Sequence, residues 1–501
     1  MAEIILTTQN AKYIHAAFGL RYLLANLGGL KDAATIREHT IQERPVDVAE
    51  ALLAEDPRVV GIGVYLWNVR PATELVRLLK RIRPDVSVVI GGPEVSHELD
   101  AQEITRLADV VITGEGELAF REVCETLLAG GNPPRIVHAD PPALEELALP
   151  YELYDDEDIA QRMIYVESSR GCPYRCRFCL SALDHRVRRF PLDRIRPALE
   201  RLLGRGVRHF KFVDRSLHLG HGQAVLELFL DHLEQSPLIH FELVPDRLPD
   251  RLRPLIARFP PGTLQLEAGV QTFDPRVAER IGRRQDVDAV SETLAFLATT
   301  NAHVHADLIV GLPGESMEQF AAGFDRLLAL GPQEIQVGVL KRLRGTPLAE
   351  QGDALGLVFH PEPPYEALQT PDVDFASMQR LKRFAHTWDR LGNSGNFRRS
   401  VALLWRNGSP FTEVMRFSDW LTAQAGRTHA IALKRLTDFL HRYLTDVLGQ
   451  DPAAVGPLLL ADYQRGGRRD RPRSLEGVDG HPPSESDRNA SAMPRQSRHL
   501  K

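Results

Sequence analysis

Three cysteines, Cys172, Cys176 and Cys179, fall within eight positions on the run Ser168-Ser169-Arg170-Gly171-Cys172-Pro173-Tyr174-Arg175-Cys176-Arg177-Phe178-Cys179. Thiolates are soft metal donors. The C-x3-C-x2-C spacing on a turn-prone Gly-Cys-Pro loop lets three of them converge on one inorganic centre. A structural zinc takes four ligands, and no second C-x-x-C or H-x3-H follows nearby. An iron–sulfur cube held by three thiolates leaves one iron without a protein ligand, open to a chelating small molecule. The bland alternative is three unrelated core cysteines. Cys124, the remaining cysteine, sits in a helical pattern and reads as a buried free thiol. Arg170, Arg175 and Arg177 flank the thiols. They either tune such a centre or, as is commoner for arginines, stay solvated or pair with nearby carboxylates.

The elements that must carry this loop follow from length and patterning. The chain has 501 residues, 61 Lys+Arg against 67 Asp+Glu, a formal net charge of −6 and 43% hydrophobic residues. At roughly 100–200 residues per domain this suggests about three folded units. The balance excludes collagen-like, wholly disordered and bulk polycationic classes, and four cysteines in such a length exclude a secreted disulfide framework. No run approaches the ~18 apolar residues of a membrane span. The start, Met1-Ala2-Glu3-Ile4-Ile5-Leu6, has no basic stretch and is not read as a signal peptide, so a cytoplasmic location is expected.

Residues 3–8, 35–41, 59–65, 86–90 and 110–113 read as strands. Helical patterns at 16–27, 46–54, 73–82 and 118–128 alternate with them, which predicts a doubly wound parallel sheet. A second array places strands at 163–167, 209–213, 240–244, 263–268, 303–310 and 334–339 with helices between, suiting a partial (βα)6 barrel. Residues 374–391 and 419–448 are helical without strand alternation. The expected parts are an α/β domain at 1–135, a linker at 136–160, a barrel at 161–350, a helical region at 370–463 and a disordered tail at 464–501.

The cysteine run, with Phe178 as the aromatic residue before its last cysteine, resembles the signature of the radical S-adenosylmethionine (radical SAM) enzymes. The resemblance implies a 4Fe-4S cluster on Cys172, Cys176 and Cys179, with S-adenosylmethionine chelating the open iron and yielding a 5′-deoxyadenosyl radical. It also implies cofactor contacts from Glu242, Glu267 and Gln271 on later strands, and close backbone approach at Gly311 and Gly314. The alternative for each carboxylate is a solvated or ion-paired strand end. Where the family usually carries a Gly-Gly-Glu type motif, this chain has Phe212-Val213-Asp214-Arg215-Ser216, so Asp214 is the candidate for the cofactor's amino group.

A parallel α/β domain ahead of such a barrel resembles the cobalamin-binding subgroup of that superfamily, here with an α-helical C-terminal region. The residues carrying this are Tyr65-Leu66-Trp67-Asn68, Gly91-Gly92-Pro93-Glu94 and Gly114-Glu115-Gly116-Glu117, all after predicted strands. Tyr65, Gly91, Gly92, Glu94, Gly114 and Gly116 are the expected corrin contacts. Flavin or nucleotide binding would use similar turns, although no G-x-G-x-x-G follows the first strand. The D-x-H-x-x-G motif is absent, and His15 is read as a packing residue rather than a cobalt ligand. The run Lys341-Arg342-Leu343-Arg344-Gly345-Thr346, after the sixth barrel strand, either meets an anionic substrate group or is a solvent-facing basic turn. The loop Gly392-Asn393-Ser394-Gly395-Asn396-Phe397 either closes over a pocket or is an inter-helix turn, the latter favoured.

The fold class implied is α/β: a doubly wound, Rossmann-like cobalamin-binding domain, a partial TIM-like radical SAM barrel and a helical C-terminal region. The function implied is methylation or rearrangement of an unactivated carbon, with a reductant protein such as a flavodoxin or ferredoxin as partner. Neither membrane nor nucleic acid is expected as a partner. An RNA-modifying radical SAM enzyme and a non-catalytic cobalamin or redox sensor are the alternatives.

Overall fold

The computed structural model describes residues 2–406, 408–427, 429–465 and 468–479. It forms two compact units: Met1–Glu242 with Lys341–Ala354 and Phe359–Glu366, and Leu243–Leu340 with Leu355–Val358 and Ala367–Lys501.

In the first unit, β1 (Ile4–Asn10), β2 (Ala34–Thr40), β3 (Val59–Gly63), β4 (Ser87–Gly91), β5 (Val110–Gly114) and β6 (Ile136–Ala139) form one sheet in the order β2-β1-β3-β4-β5-β6. Every neighbouring pair is parallel. Alternate side chains leave opposite faces of a strand. Ile5, Val60, Ile62, Val88 and Ile90 pack under the helices Pro45–Leu53 and Val69–Ile82. Ile4, Leu6, Val59, Val89 and Ile112 pack under Phe18–Ala25 and Glu117–Leu128. Cys124 lies fully buried in this second core, as expected of a packing thiol. Helices on both faces are what a parallel sheet requires.

The segment read as a linker carries structure. β6 adds to the sheet edge in register Val111↔Ile136, and Asp155 caps the helix Asp156–Gln161. Asp158 of that helix holds Arg21 at 2.6 Å inside the unit. Strand β6 is four residues long and only partly buried, so its pattern in the sequence is weak.

Three further parallel strands follow in the first unit: β7 (Ile164–Val166), then, after the short antiparallel pair β8 (Ser169–Arg170) and β9 (Arg188–Arg189), β10 (His209–Phe212) and β11 (Leu238–Leu243). The second unit carries β12 (Leu264–Gln271), β13 (His303–Val310) and β14 (Glu334–Val339), again parallel. Helices Leu192–Gly204 and Gly222–Leu230 alternate with the parallel strands of the first unit, and Val287–Ala298 and Met317–Ala329 with those of the second, in the predicted βα alternation.

The helical region belongs to the second unit, and it covers a sheet edge. The Asn393 side chain donates to the carbonyl of Ile335 and accepts from its N–H, both at 2.8 Å, while Trp388 Nε1 donates to the same carbonyl at 3.0 Å. These groups satisfy backbone on β14, which lies at the edge of its sheet among the described residues. The glycine–asparagine loop therefore caps the edge. The pattern read as continuous over 419–448 is broken: Pro410–Ala425 ends at Gly426, whose φ of +64° is left-handed, and Leu433–Arg442 begins anew.

The tail is ordered further than its composition suggests. Leu475 is fully buried, and Ser474 donates to Asp438 at 2.8 Å from both its N–H and its hydroxyl. Residues 466–467 and 480–501 of the expected tail lie outside the described residues. Among the described residues, no helix is long and apolar enough to cross a membrane.

Candidate functional site

The cysteine loop leaves β8 at Arg170. Gly171 sits at φ +88°, where a Cβ would stand 2.2 Å from the carbonyl oxygen of Arg186, so only glycine permits this turn. The N–H of Cys172 donates to the carbonyl of Asp184 at 2.8 Å, and that of Cys179 to Cys176 at 3.1 Å. Cys172 and Cys176 are buried and Cys179 is half-buried. Burial pushes the Cys172 thiol up, with smaller contributions from Cys179 and Cys176, so the sulfurs feel one another's charge. Among the described residues, no three His, Cys, Asp or Glu side chains stand close enough to hold a single metal ion. A four-iron cube gives each thiolate its own iron, which spreads the sulfurs farther apart than the ligands of one ion. Three clustered thiols on one constrained loop are chemically suited to that group.

Asp214, just after β10, is engaged with the strand that precedes the cysteines. Its carboxylate accepts from the Ser168 N–H at 2.8 Å and from the Ser168 and Ser169 hydroxyls at 2.6 Å. It is almost fully buried, and desolvation raises its pKa. The acid anchors the strand that launches the cysteine loop. Gly220 is the reason the network fits, since a Cβ there would lie 2.2 Å from Ser168 Oγ and 2.3 Å from Asp214 Oδ1. On the loop itself, the Tyr174 hydroxyl pairs with His218 Nε2 at 2.9 Å.

A cavity of 720 Å³ opens in the first unit. Strand ends and turns of the α/β domain line it: Gly61, Gly63, Tyr65, Gly91, Gly92, Gly114 and Gly116. So do Glu167, Arg170, Gly171, Cys179, Val213 and Arg215 around the cysteine loop. Gly92 has φ +115° and a Cβ there would stand 2.5 Å from the carbonyl oxygen of Val64. Glycine turns and apolar side chains such as Phe18, Ile90, Ile112 and Phe120 thus share the lining, which suits a broad, largely apolar ligand. Glu117 lines the same cavity and keeps one buried carboxylate oxygen, Oε2, without a hydrogen-bond partner. An amide donor from a corrin periphery would satisfy it. Shape and polarity both fit a corrinoid.

The structure brings together Tyr65, Gly91, Gly92, Gly114, Gly116 and Cys179, and leaves Glu94 and Phe178 out of that cavity. Glu94 is buried against Arg344 at 2.9 Å. Arg344 also holds Glu98 at 2.6 Å and the Tyr365 hydroxyl at 3.0 Å, and Arg342 grips Glu98 with both nitrogens at 2.8 and 3.0 Å. Arg342 and Arg344 of the basic turn are thus paired with carboxylates, with Arg342 still 30% exposed. Arg170 pairs with Glu167, Glu115 and Glu117, in line with the reading of paired arginines, and Arg177 bonds to Gln351. His15 bonds to the Tyr165 hydroxyl at 2.7 Å and lies outside the cavity, as a packing residue should.

Glu242, the penultimate residue of β11, is half-buried in the first unit, with its carbonyl taken by the Leu217 N–H at 2.8 Å. In the second unit, Leu264, Leu266, Ala268 and Val270 of β12 are fully buried on one face. Glu267 and Gln271 therefore share the other face, with Glu267 in register with His305. Gln271 has φ +70° beside a register shift, and its amide oxygen is buried without a partner. Gly311 and Gly314 leave no room for a side chain of their own. A Cβ at Gly311 would meet the Met378 methyl at 2.9 Å, and one at Gly314 the Arg280 guanidinium at 2.1 Å. Their space is taken by the protein's own side chains. Sequence reasoning missed Glu115 and Glu117, visible in the Gly-Glu-Gly-Glu turn but overlooked in favour of its glycines. It also missed Glu315, buried with its pKa pushed up to about 8.

Residues 4–124 match the B12 binding domain, residues 166–327 the radical SAM superfamily, and residues 353–493 a family described as protein of unknown function (DUF4080). The match to the B12 binding domain thus precedes the match to the radical SAM superfamily along the chain. Among curated relatives, the cobalamin-dependent radical SAM methyltransferase TokK of Streptomyces tokunonensis is 26% identical over 81% of this chain and 63% of its own length. This chain therefore spans somewhat under two thirds of that relative. Its fold is shared by the cobalamin-dependent S-adenosylmethionine radical enzyme OxsB with aqua-cobalamin and S-adenosylmethionine bound (TM-score 0.62, 14% identity, 95% of this chain and 83% of that one). It is also shared by the radical S-adenosylmethionine methyltransferase TsrM from Kitasatospora setae with cobalamin and a 4Fe-4S cluster bound (TM-score 0.57, 18% identity, 72% and 78%).

Proposed function

We propose that the protein is a cobalamin-dependent radical SAM enzyme that methylates an unactivated carbon of its substrate. The observation that carries this reading is the cavity bounded by both the strand-end glycines of the α/β domain and the loop of Cys179. In this reading Cys172, Cys176 and Cys179 hold a 4Fe-4S cluster, with Phe178 packing beside it. When bound, cluster, S-adenosylmethionine and cobalamin supply the carbon radical and the methyl group. The chain's own residues do the holding. Gly91, Gly92, Gly114 and Gly116 bare the backbone to the corrin face, Tyr65 walls one side, and Glu117 accepts from a peripheral amide. Asp214, through Ser168 and Ser169, orients the cysteine loop. Glu242, Glu267 and Gln271 are the polar groups assigned to S-adenosylmethionine.

The working division is a corrin-binding part at 1–135 and a radical part at 161–350, with a helical region at 370–463. A low-potential reductant protein, a flavodoxin or ferredoxin, delivers the electron in the cytoplasm. Anaerobic purification with iron and corrinoid quantified, followed by assay for 5′-deoxyadenosine, tests the reading. Both cofactors should be retained and the nucleoside released. Iron without corrinoid would remove the methylation proposal, and absence of both would remove the whole reading.

A further inference from the structure

The turn after β5 and the strand before the cysteines are joined by buried charge. Arg170, two positions before Cys172, reaches Glu115 at 2.7 Å, Glu117 at 2.8 Å and Glu167 at 2.9 Å. Its guanidinium lies over the Tyr22 ring at 4.8 Å. Side-chain exposure is only 13% for Arg170 and 8% for Glu117, so solvent does not screen the pair. A second branch runs in parallel. Arg188 bonds to Glu115 and stands 3.3 Å from Asp184, whose carbonyl accepts from the Cys172 N–H at 2.8 Å. Glu115, Glu117, Arg170 and Asp184 all line the cavity assigned above to the corrinoid. One oxygen of Glu117 is still unsatisfied there.

We infer that Arg170, Glu115 and Glu117 form a positioning device through which an occupied corrin bed and an assembled cysteine loop stabilise one another. The inference rests on the functional reading above. A donor that satisfies Glu117 fixes the turn, the turn fixes Arg170, and Arg170 fixes the entry of the loop. By linkage the effect runs equally in the other direction: a loop locked by its inorganic centre holds the turn in its binding geometry. Planarity matters, because Arg170 contacts three carboxylates at once through the guanidinium fork, which an ammonium group does not reproduce.

The test is the affinity of the full-length protein for hydroxocobalamin, titrated anaerobically by tryptophan fluorescence, with and without the reconstituted cluster. For the wild type, the cluster-loaded form should bind at least about 5-fold tighter than the cluster-free form, the lower end of typical coupling between sites. In the double variant Glu115→Gln, Glu117→Gln that ratio should fall towards one, while iron content stays at the wild-type level. Arg170→Lys, which keeps the charge and loses the fork, serves if the double variant does not fold, and it should lose at least half of the ratio. A wild-type ratio of one overturns the proposal, and so does a wild-type ratio retained in the variants. A wild type that binds no hydroxocobalamin in either form overturns the corrinoid reading itself, which separates the two failures.

Discussion

Glu315 offers a quantitative test of the second unit, independent of any cofactor. It is 3% exposed, accepts a hydrogen bond from the Thr272 hydroxyl through Oε1, and leaves Oε2 buried without a partner. Burial raises its pKa from 4.5 to about 8; the Thr272 bond opposes this and the charge of Asp274 adds to it. Below pH 4.5 the carboxyl is neutral in folded and unfolded chains alike. Between 4.5 and about 8 the unfolded chain releases a proton that the folded chain retains, so stability falls as pH rises. Above about 8 the loss is complete. At ~1.4 kcal/mol per pH unit the buried charge destabilises the fold by about 5 kcal/mol. Glu315→Gln keeps an acceptor for Thr272 and cannot ionise, but it places an unpartnered amide N–H where Oε2 stood, costing ~1–3 kcal/mol. The variant should therefore melt slightly below the wild type at pH 5 and above it at pH 9. Melting temperatures of the cofactor-free protein from pH 5 to pH 9 read this directly. Parallel profiles for wild type and variant would refute the argument.

Other substitutions address the site. Gly92→Ala forces a Cβ to within 2.5 Å of the Val64 carbonyl oxygen at φ +115°, a strain of ~1–3 kcal/mol. It should strip corrinoid from the purified protein and leave iron in place; retained corrinoid would show that the glycine turns do not seat it. Cys176→Ala should abolish cluster absorbance, and unchanged iron content would defeat the assignment of that thiol. His15→Ala removes one bond to Tyr165 and should lower stability by no more than ~1 kcal/mol. Corrinoid content should stay near the wild-type level, and a large loss would mean the histidine reaches the ligand.

Much of the scaffold was legible before folding because its signals are local. The runs that became β3, β4 and β5 are short, apolar and bounded by turns, and central parallel strands covered on both faces must look that way. Strand β6 escaped because an edge strand of four partly buried residues has no such requirement. Packing at 474–475 escaped because its burial depends on Asp438 and its neighbours, distant in sequence, rather than on tail composition.

The site divides along the same line. Residue type and spacing by themselves determined the three thiols, the turn at Gly171 and the bare glycine turns, since each depends on chemistry or backbone freedom carried within a few positions. Partners were decided only by the tertiary structure. Asp214 holds Ser168 and Ser169, Glu94 holds Arg344, Gly311 makes room for Met378, and Arg170 gathers Glu115 and Glu117. A buried charge or an open space is defined by whichever group the fold brings to it from far along the chain, and no local pattern contains that information.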